Sequence, residues 1–105
     1  MSTQVQVNTN VYAKQVQQKV QEAYHFLPEG ERPTCGVEVG RKYFKLVVDH
    51  GHQRLVHSFV DRVTGDVFKP EGWAKPAKGV RFNLIQSIDT LLNAVDPYGS
   101  YLYQR

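Results

Sequence analysis

The chain has 105 residues, of which 41% are hydrophobic and 22% are charged, and its formal net charge is +3. These values are typical of a globular domain with one core and argue against a disordered or fibrous chain. The lone Cys35 cannot form an internal disulfide, and the polar N-terminus has no apolar stretch of the kind that a secretory signal or membrane span requires. We therefore expect a single domain over residues 1–105 that works in the cytoplasm without a membrane.

The N-terminal segment contains one amphipathic helix. Apolar residues recur at steps of three and four over residues 10–27, and Pro28 ends the pattern. Asn10 is a suitable N-cap for this helix. Residues 1–9 are mostly polar, and we interpret them as a flexible tail in preference to a short edge strand.

The middle of the chain has the two-residue period of β-strands. Alternating β-branched and aromatic residues predict strands at about 42–49, 53–61 and 67–69. Two turn segments, His50-Gly51-His52 and residues 62–66 with Gly65, separate these strands. The pattern predicts an antiparallel β-meander.

The C-terminal third begins with a loop over residues 70–79, which is rich in proline and glycine and surrounds Trp73. An apolar stripe then predicts a second helix over residues 83–95, with Asn83 as its cap. Residues 98–105 could form a weak final edge strand.

These elements predict an α+β fold, a three- or four-stranded antiparallel β-meander with an N-terminal and a C-terminal helix packed on one face. The other sheet face would be open, so a homodimer or another partner could cover it. Both faces of each strand carry apolar residues, and the alternation leaves open which face is buried.

Charge is distributed unevenly along the sequence. Between Gly40 and Arg81 there are nine basic and four acidic residues. A basic sheet and loop would attract polyanions, and the interleaved Tyr43, Phe68 and Trp73 could stack on nucleobases. The alternative is that the cations solvate strand edges while the aromatic residues fill the core. The candidate contact residues are Arg41, Lys42, Tyr43, Lys45, Lys69, Trp73, Lys75, Lys78 and Arg81.

Trp73 has two interpretations, as a core ring or as a contact residue. We favour a ring that covers one end of the core, and removal of a buried tryptophan would cost about 3–5 kcal/mol. Lys75, Lys78 and Arg81 would then point outward from a loop that its prolines make rigid.

Catalytic and metal-binding patterns are absent from the sequence. His50, His52 and His57 lie close together along the chain, but a zinc site needs three or four convergent ligands with defined spacing. Cys35 before a glycine is typical of a small buried residue rather than a nucleophile. We predict no catalytic residue, no metal and no cofactor, and the roles of Cys35, His50 and His52 stay open.

The stretch from Phe59 to Leu84 resembles a motif of small uncharacterised proteins of tailed bacteriophages. That motif has the form Gly-Asp-Val-x-Lys, followed by Trp-x-x-Pro-Ala-Lys-Gly-x-Arg. The matching residues here are Gly65, Asp66, Lys69, Trp73, Pro76, Ala77, Lys78, Gly79 and Arg81. The resemblance implies a small phage-encoded accessory protein in the host cytoplasm and implies no activity or catalytic residue.

Three functions are compatible with these observations. The leading hypothesis is a non-enzymatic phage accessory protein that binds DNA, RNA or a host nucleic-acid-processing complex through the basic sheet and the Trp loop. The second is a protein–protein inhibitor or modulator of a host factor that makes no contact with nucleic acid. The third is a small-molecule-binding or enzymatic domain.

Overall fold

The computed structural model describes residues 3–103, in which two helices pack on one face of an antiparallel sheet. The sheet has five strands in the order β1-β2-β3-β4-β7, and β5 and β6 form a separate hairpin. The predicted α+β fold is confirmed. The elements are α1 Thr3–Ala23, β1 Thr34–Val39, β2 Tyr43–His50, β3 Gln53–Asp61, β4 Asp66–Phe68, β5 Pro70–Gly72, β6 Lys75–Pro76, β7 Phe82–Asn83 and α2 Ile88–Ala94, with short 3-10 helices at Glu29–Glu31 and Ser100–Tyr103.

Helix α1 begins at Thr3, so the interpretation of residues 3–9 as a flexible tail and of Asn10 as a cap is wrong; residues 1 and 2 lie outside the described part. Val5 and Thr9 are both buried and continue the apolar stripe by one turn each. The Thr9 hydroxyl donates to the Val5 carbonyl, 2.7 Å away, which satisfies its polar group inside the helix. Because Thr9 is polar although it is buried, the sequence pattern did not indicate the first two turns of α1.

The same helix ends at Ala23 rather than at Leu27. Arg32 explains the early stop, because its guanidinium donates to the carbonyls of His25 and Leu27, at 3.1 and 2.9 Å. A cationic side chain that binds carbonyls beyond a helix end stabilises that end.

The register of β2 and β3 decides which sheet face is buried. Phe44 and Leu46 pair with Val60 and Ser58 and lie against the helices. Tyr43, Lys45 and their neighbours in the alternation lie on the opposite face. Strand β3 matches its prediction at both ends, and β2 and β4 are each displaced by one residue.

Two strands of the five-stranded sheet were not predicted. β1 is an edge strand whose glycine and exposed residues weaken the alternation. β7 includes Asn83, so the prediction that Asn83 caps a helix over residues 83–95 is wrong. The Asn83 side-chain oxygen accepts the N–H groups of Ile85 and Gln86 at 2.8 and 2.9 Å, which makes a turn, and α2 begins only after Ser87.

The last two predictions for irregular segments also need correction. Residues 70–79 do not lack regular structure, since β5 and β6 pair within them. The segment after α2 forms a 3-10 helix, not an edge strand, over Ser100–Tyr103. The Asp96 carboxylate accepts backbone N–H bonds from Tyr98 at 2.8 Å and from Ser100 and Tyr101 at 3.2 Å, which curls the chain and buries Tyr101.

A buried polar network crosses the helix-side core. The Tyr12 hydroxyl lies 3.0 Å from the Ser58 hydroxyl and 2.5 Å from the Tyr101 hydroxyl, so it joins α1, β3 and the C-terminal segment. The β-bulge in β3 leaves His57 without a partner in β2 and places its ring against Tyr12 and Tyr101. The network satisfies polar groups that burial would otherwise make costly.

Candidate nucleic-acid interface

The sheet face opposite the helices carries a small aromatic cluster. The Tyr43 ring contacts the rings of Phe59 and Phe68 edge to face, with centroids 5.8 and 6.0 Å apart. Phe59 and Val47 are almost fully buried although neither belongs to the helix-side core. This face is therefore covered in part, and the expectation of a fully open face is wrong.

The cover is the hairpin of β5 and β6, residues 70–76, which we call the Trp hairpin. Its strands pair from Pro70 with Pro76 to Gly72 with Lys75, and the Ala77 N–H bonds to the Lys69 carbonyl at 2.9 Å below them. Two prolines and this closing bond restrict the hairpin backbone. Trp73 is held at its tip.

Two cations of the sheet lie near the Trp73 ring. Lys45 Nζ is 4.3 Å and Arg54 Cζ is 5.4 Å from the ring centre, both within the range of cation–π attraction. The side chain is 46% exposed, so the interpretation of Trp73 as a ring that covers the core end is wrong. It is a half-exposed ring with Lys45 and Arg54 close to it.

Carboxylates neutralise some of the cations around the Trp hairpin. Arg54 forms ion pairs with Glu38 and Asp49, and these hydrogen bonds raise the pKa of its guanidinium. Lys75 pairs with Glu71 at 3.3 Å on the hairpin itself. Among the described residues, the candidate cations without an ion pair are Arg41, Lys42, Lys45, Lys69, Lys78 and Arg81.

Arg41 and Lys42 lie beside the aromatic cluster. Both line a cleft of about 260 Å³ whose wall also includes Tyr43, Lys45 and Phe59. Lys42 Nζ is 5.4 Å from the Tyr43 ring centre. The β1–β2 turn thus adds two exposed cations to the group around Lys45.

Lys69 occupies the opposite flank, where its Nζ lies 4.6 Å from the Tyr103 ring centre. Tyr103 shares a cleft of about 370 Å³ with Arg54 and Trp73, which connects this flank to the hairpin. Arg54 and Tyr103 also lie at this surface, and the sequence analysis did not include them among the candidate residues. Arg54 could have been included from its two-residue spacing to Val56, but only once the buried face was known.

Lys78 and Arg81 follow the hairpin and are separate from the Trp73 ring. In residues 3–103, the cations over that ring are Lys45 and Arg54 alone. The Arg81 guanidinium lies beside Gly79, where a Cβ would be 3.4 Å from its Nη1. Seven of the nine predicted site residues therefore surround or adjoin the Trp hairpin, and these two lie beyond it.

The other reactive side chains have structural surroundings. No group of three or more His, Cys, Asp or Glu residues in the described part could hold a metal ion. Burial, with a smaller effect of the Asp49 charge, raises the pKa of the Cys35 thiol to about 12. A thiol with this pKa is protonated at neutral pH and is a poor nucleophile.

This geometry defines a small α+β domain with a helix-packed sheet face and a cationic, aromatic face on the other side. The chain belongs to a family of unknown function, DUF7717, whose family model matches residues 1–104. Comparison with curated proteins and with solved structures gave no match. None of the helices in residues 3–103 has the length and apolar character needed to span a membrane.

Proposed function

We propose that this chain is a non-enzymatic accessory protein of a tailed bacteriophage that binds single-stranded nucleic acid in the host cytoplasm. The Trp73 ring, with Lys45 and Arg54 close to it, carries the proposal, since it offers a base a stacking surface next to positive charge. The phage origin rests on the sequence resemblance described above.

The unpaired cations beside the ring supply phosphate contacts. Arg41 and Lys42 are exposed in the β1–β2 turn, and Lys45 lies between them and Trp73. Bases stacked on the ring and phosphates bound by lysine and arginine together form the interface that sequence-tolerant single-strand binders use.

A second candidate is a modulator that binds a host protein, for example one within a nucleic-acid-processing complex. The carboxylates Glu38, Asp49 and Glu71 favour it, since they lie among the cations and would repel phosphates. A mixed-charge surface with an aromatic centre is also typical of protein interfaces.

Trp73 is the only tryptophan of the chain, so its fluorescence reports directly on this surface. We expect a single-stranded oligonucleotide to quench the fluorescence. Three to five phosphate contacts predict that log affinity falls with log salt at a slope of about −2 to −3.5. A quenching midpoint that does not move with salt would contradict nucleic-acid binding.

Two charge-reversed variants separate this surface from net charge. Lys42→Glu with Lys45→Glu should weaken oligonucleotide binding by about 10-fold or more, because two phosphate contacts become repulsive. Lys14→Glu with Lys19→Glu changes the net charge equally on α1 and is the matched control. If both pairs weaken binding equally, the interaction is nonspecific; if neither binds less than wild type, the protein-binding candidate is favoured.

A further inference from the structure

A cleft of about 130 Å³ lies at the end of the molecule where β2 and β3 are joined. Its walls come from four parts of the chain: Tyr24 follows α1, Pro33 precedes β1, Val48 and Leu55 lie on the paired strands, and Tyr98 follows α2. None of the residues that line it is a proposed nucleic-acid contact.

Among the described residues that line the cleft, none carries a carboxylate, an ammonium or a guanidinium group. Burial lowers the pKa of His57, so its imidazole is neutral at neutral pH. A charged ligand would lose its hydration here without gaining an opposite charge.

The volume is close to that of one six-membered ring, because an apolar protein cavity of roughly 150 Å³ is known to hold benzene. The wall already contains an edge-to-face aromatic contact, with the Tyr24 and His50 rings 5.0 Å apart at 69°. Leu55 and Tyr98 flank the cleft and are 56% and 71% exposed. A ring bound between them would remove apolar surface from water.

Three polar side chains of the cleft, those of Tyr24, His50 and Tyr98, make no side-chain hydrogen bond within residues 3–103. Both nitrogens of His57 have neighbours, the Ser58 hydroxyl at 3.4 Å and the Asp96 carbonyl at 3.3 Å. The His50 ring contacts the Tyr24 ring edge to face, and within residues 3–103 its side chain makes no hydrogen bond. Its ring nitrogens are therefore available to a ligand.

We propose that this cleft binds one small uncharged aromatic ring that carries a hydroxyl or N–H group, with the ring beside Leu55 and Tyr98 and the polar group bonded to His50. Phenol is the simplest molecule of this class and is the probe used below. Benzoate has the same ring with a negative charge, and benzene has the ring without a polar group.

The test is a titration of the whole chain with each probe, in which binding is measured from the NMR chemical shifts of the backbone amides. Phenol should bind saturably and shift Val48, His50, Leu55 and Tyr98, and benzoate should bind about 10-fold more weakly or not at all. Equal affinity for phenol and benzoate, no saturable phenol binding, or shifts centred on Trp73 would each overturn the proposal.

Two variants locate the ligand. Leu55→Trp should fill the cleft and abolish phenol binding, whereas Val63→Trp, at a position that is 67% exposed in the β3–β4 turn, should not. His50→Phe keeps an aromatic ring against Tyr24 but removes the hydrogen bond, so phenol should bind about 3- to 10-fold more weakly while benzene is unaffected. His50→Phe decides the matter even if Leu55→Trp does not fold, and unchanged phenol affinity in it would overturn the assigned role of His50.

Discussion

Beneath α1, Leu46 and Val60 are completely buried, whereas on the opposite face Val47 and Phe59 are buried on the side of the Trp hairpin, whose Trp73 side chain is itself 46% exposed. The helix side has a 21-residue helix as its cover, and the other side has two strands of three and two residues. We infer from this difference that the helix side contributes most of the stability. The hairpin side keeps part of its apolar surface in contact with water, where a partner can reach it.

The largest effect should come from the helix side. Leu46→Ala removes a fully buried side chain and should lower the free energy of unfolding by about 2–5 kcal/mol. Urea denaturation would measure it, with Val39→Ala, at a position that is 65% exposed, as the control that changes little. A loss below about 1 kcal/mol would mean that the helix side is not the stabilising side.

The Trp hairpin should contribute less. Trp73→Ala should cost about 1–2 kcal/mol rather than the 3–5 kcal/mol of a buried ring, because nearly half of the side chain is already exposed. The same denaturation experiment applies, with Phe26→Ala as the control on a more exposed aromatic residue. A cost as large as that of Leu46→Ala would remove the contrast between the two faces.

Acid should destabilise the helix side, because the buried histidine lies there. The pKa of folded His57 is below its ordinary value owing to burial, so the unfolded chain binds a proton at higher pH than the folded chain does. This contribution to stability is complete above about pH 6.5 and is lost as the pH falls toward the folded pKa.

Urea denaturation between pH 7.5 and pH 5 would measure this loss. His57→Gln should flatten the pH dependence in this range, since it removes the titrating group while keeping a polar side chain. A variant with the same pH dependence as wild type would assign the acid sensitivity to another group.

Strand alternation and turn glycines were sufficient to predict β3, the sheet type and both hairpin connections. Gly65, for example, has φ +81°, and a Cβ there would lie 3.4 Å from Val5. Local patterns failed where the partner was remote: Asn83 looked like a helix cap but bonds to Thr64 and Asp66, and Asn8 reads as part of a polar tail but donates to the Leu84 carbonyl at 2.7 Å.

The residues of the candidate surface could be predicted in part from the sequence, but their geometry could not. The sequence indicated that Lys45 and Trp73 belong to one basic, aromatic surface, and the structure brings them into contact. It could not show that Lys75 is paired with Glu71 or that Arg54 lies across from Asp49, because both facts depend on strand register. Ion pairing is what separates the available cations from the neutralised ones.

The bond between Tyr12 and Tyr101 joins residues that are 89 positions apart. During synthesis α1 emerges well before residues 100–103, which supply the Tyr101 hydroxyl and the fully buried Leu102 to the same core. The helix-side core is therefore incomplete until this 3-10 segment has been made. Loss of this closing segment would leave the helix-side core open to solvent at Tyr12.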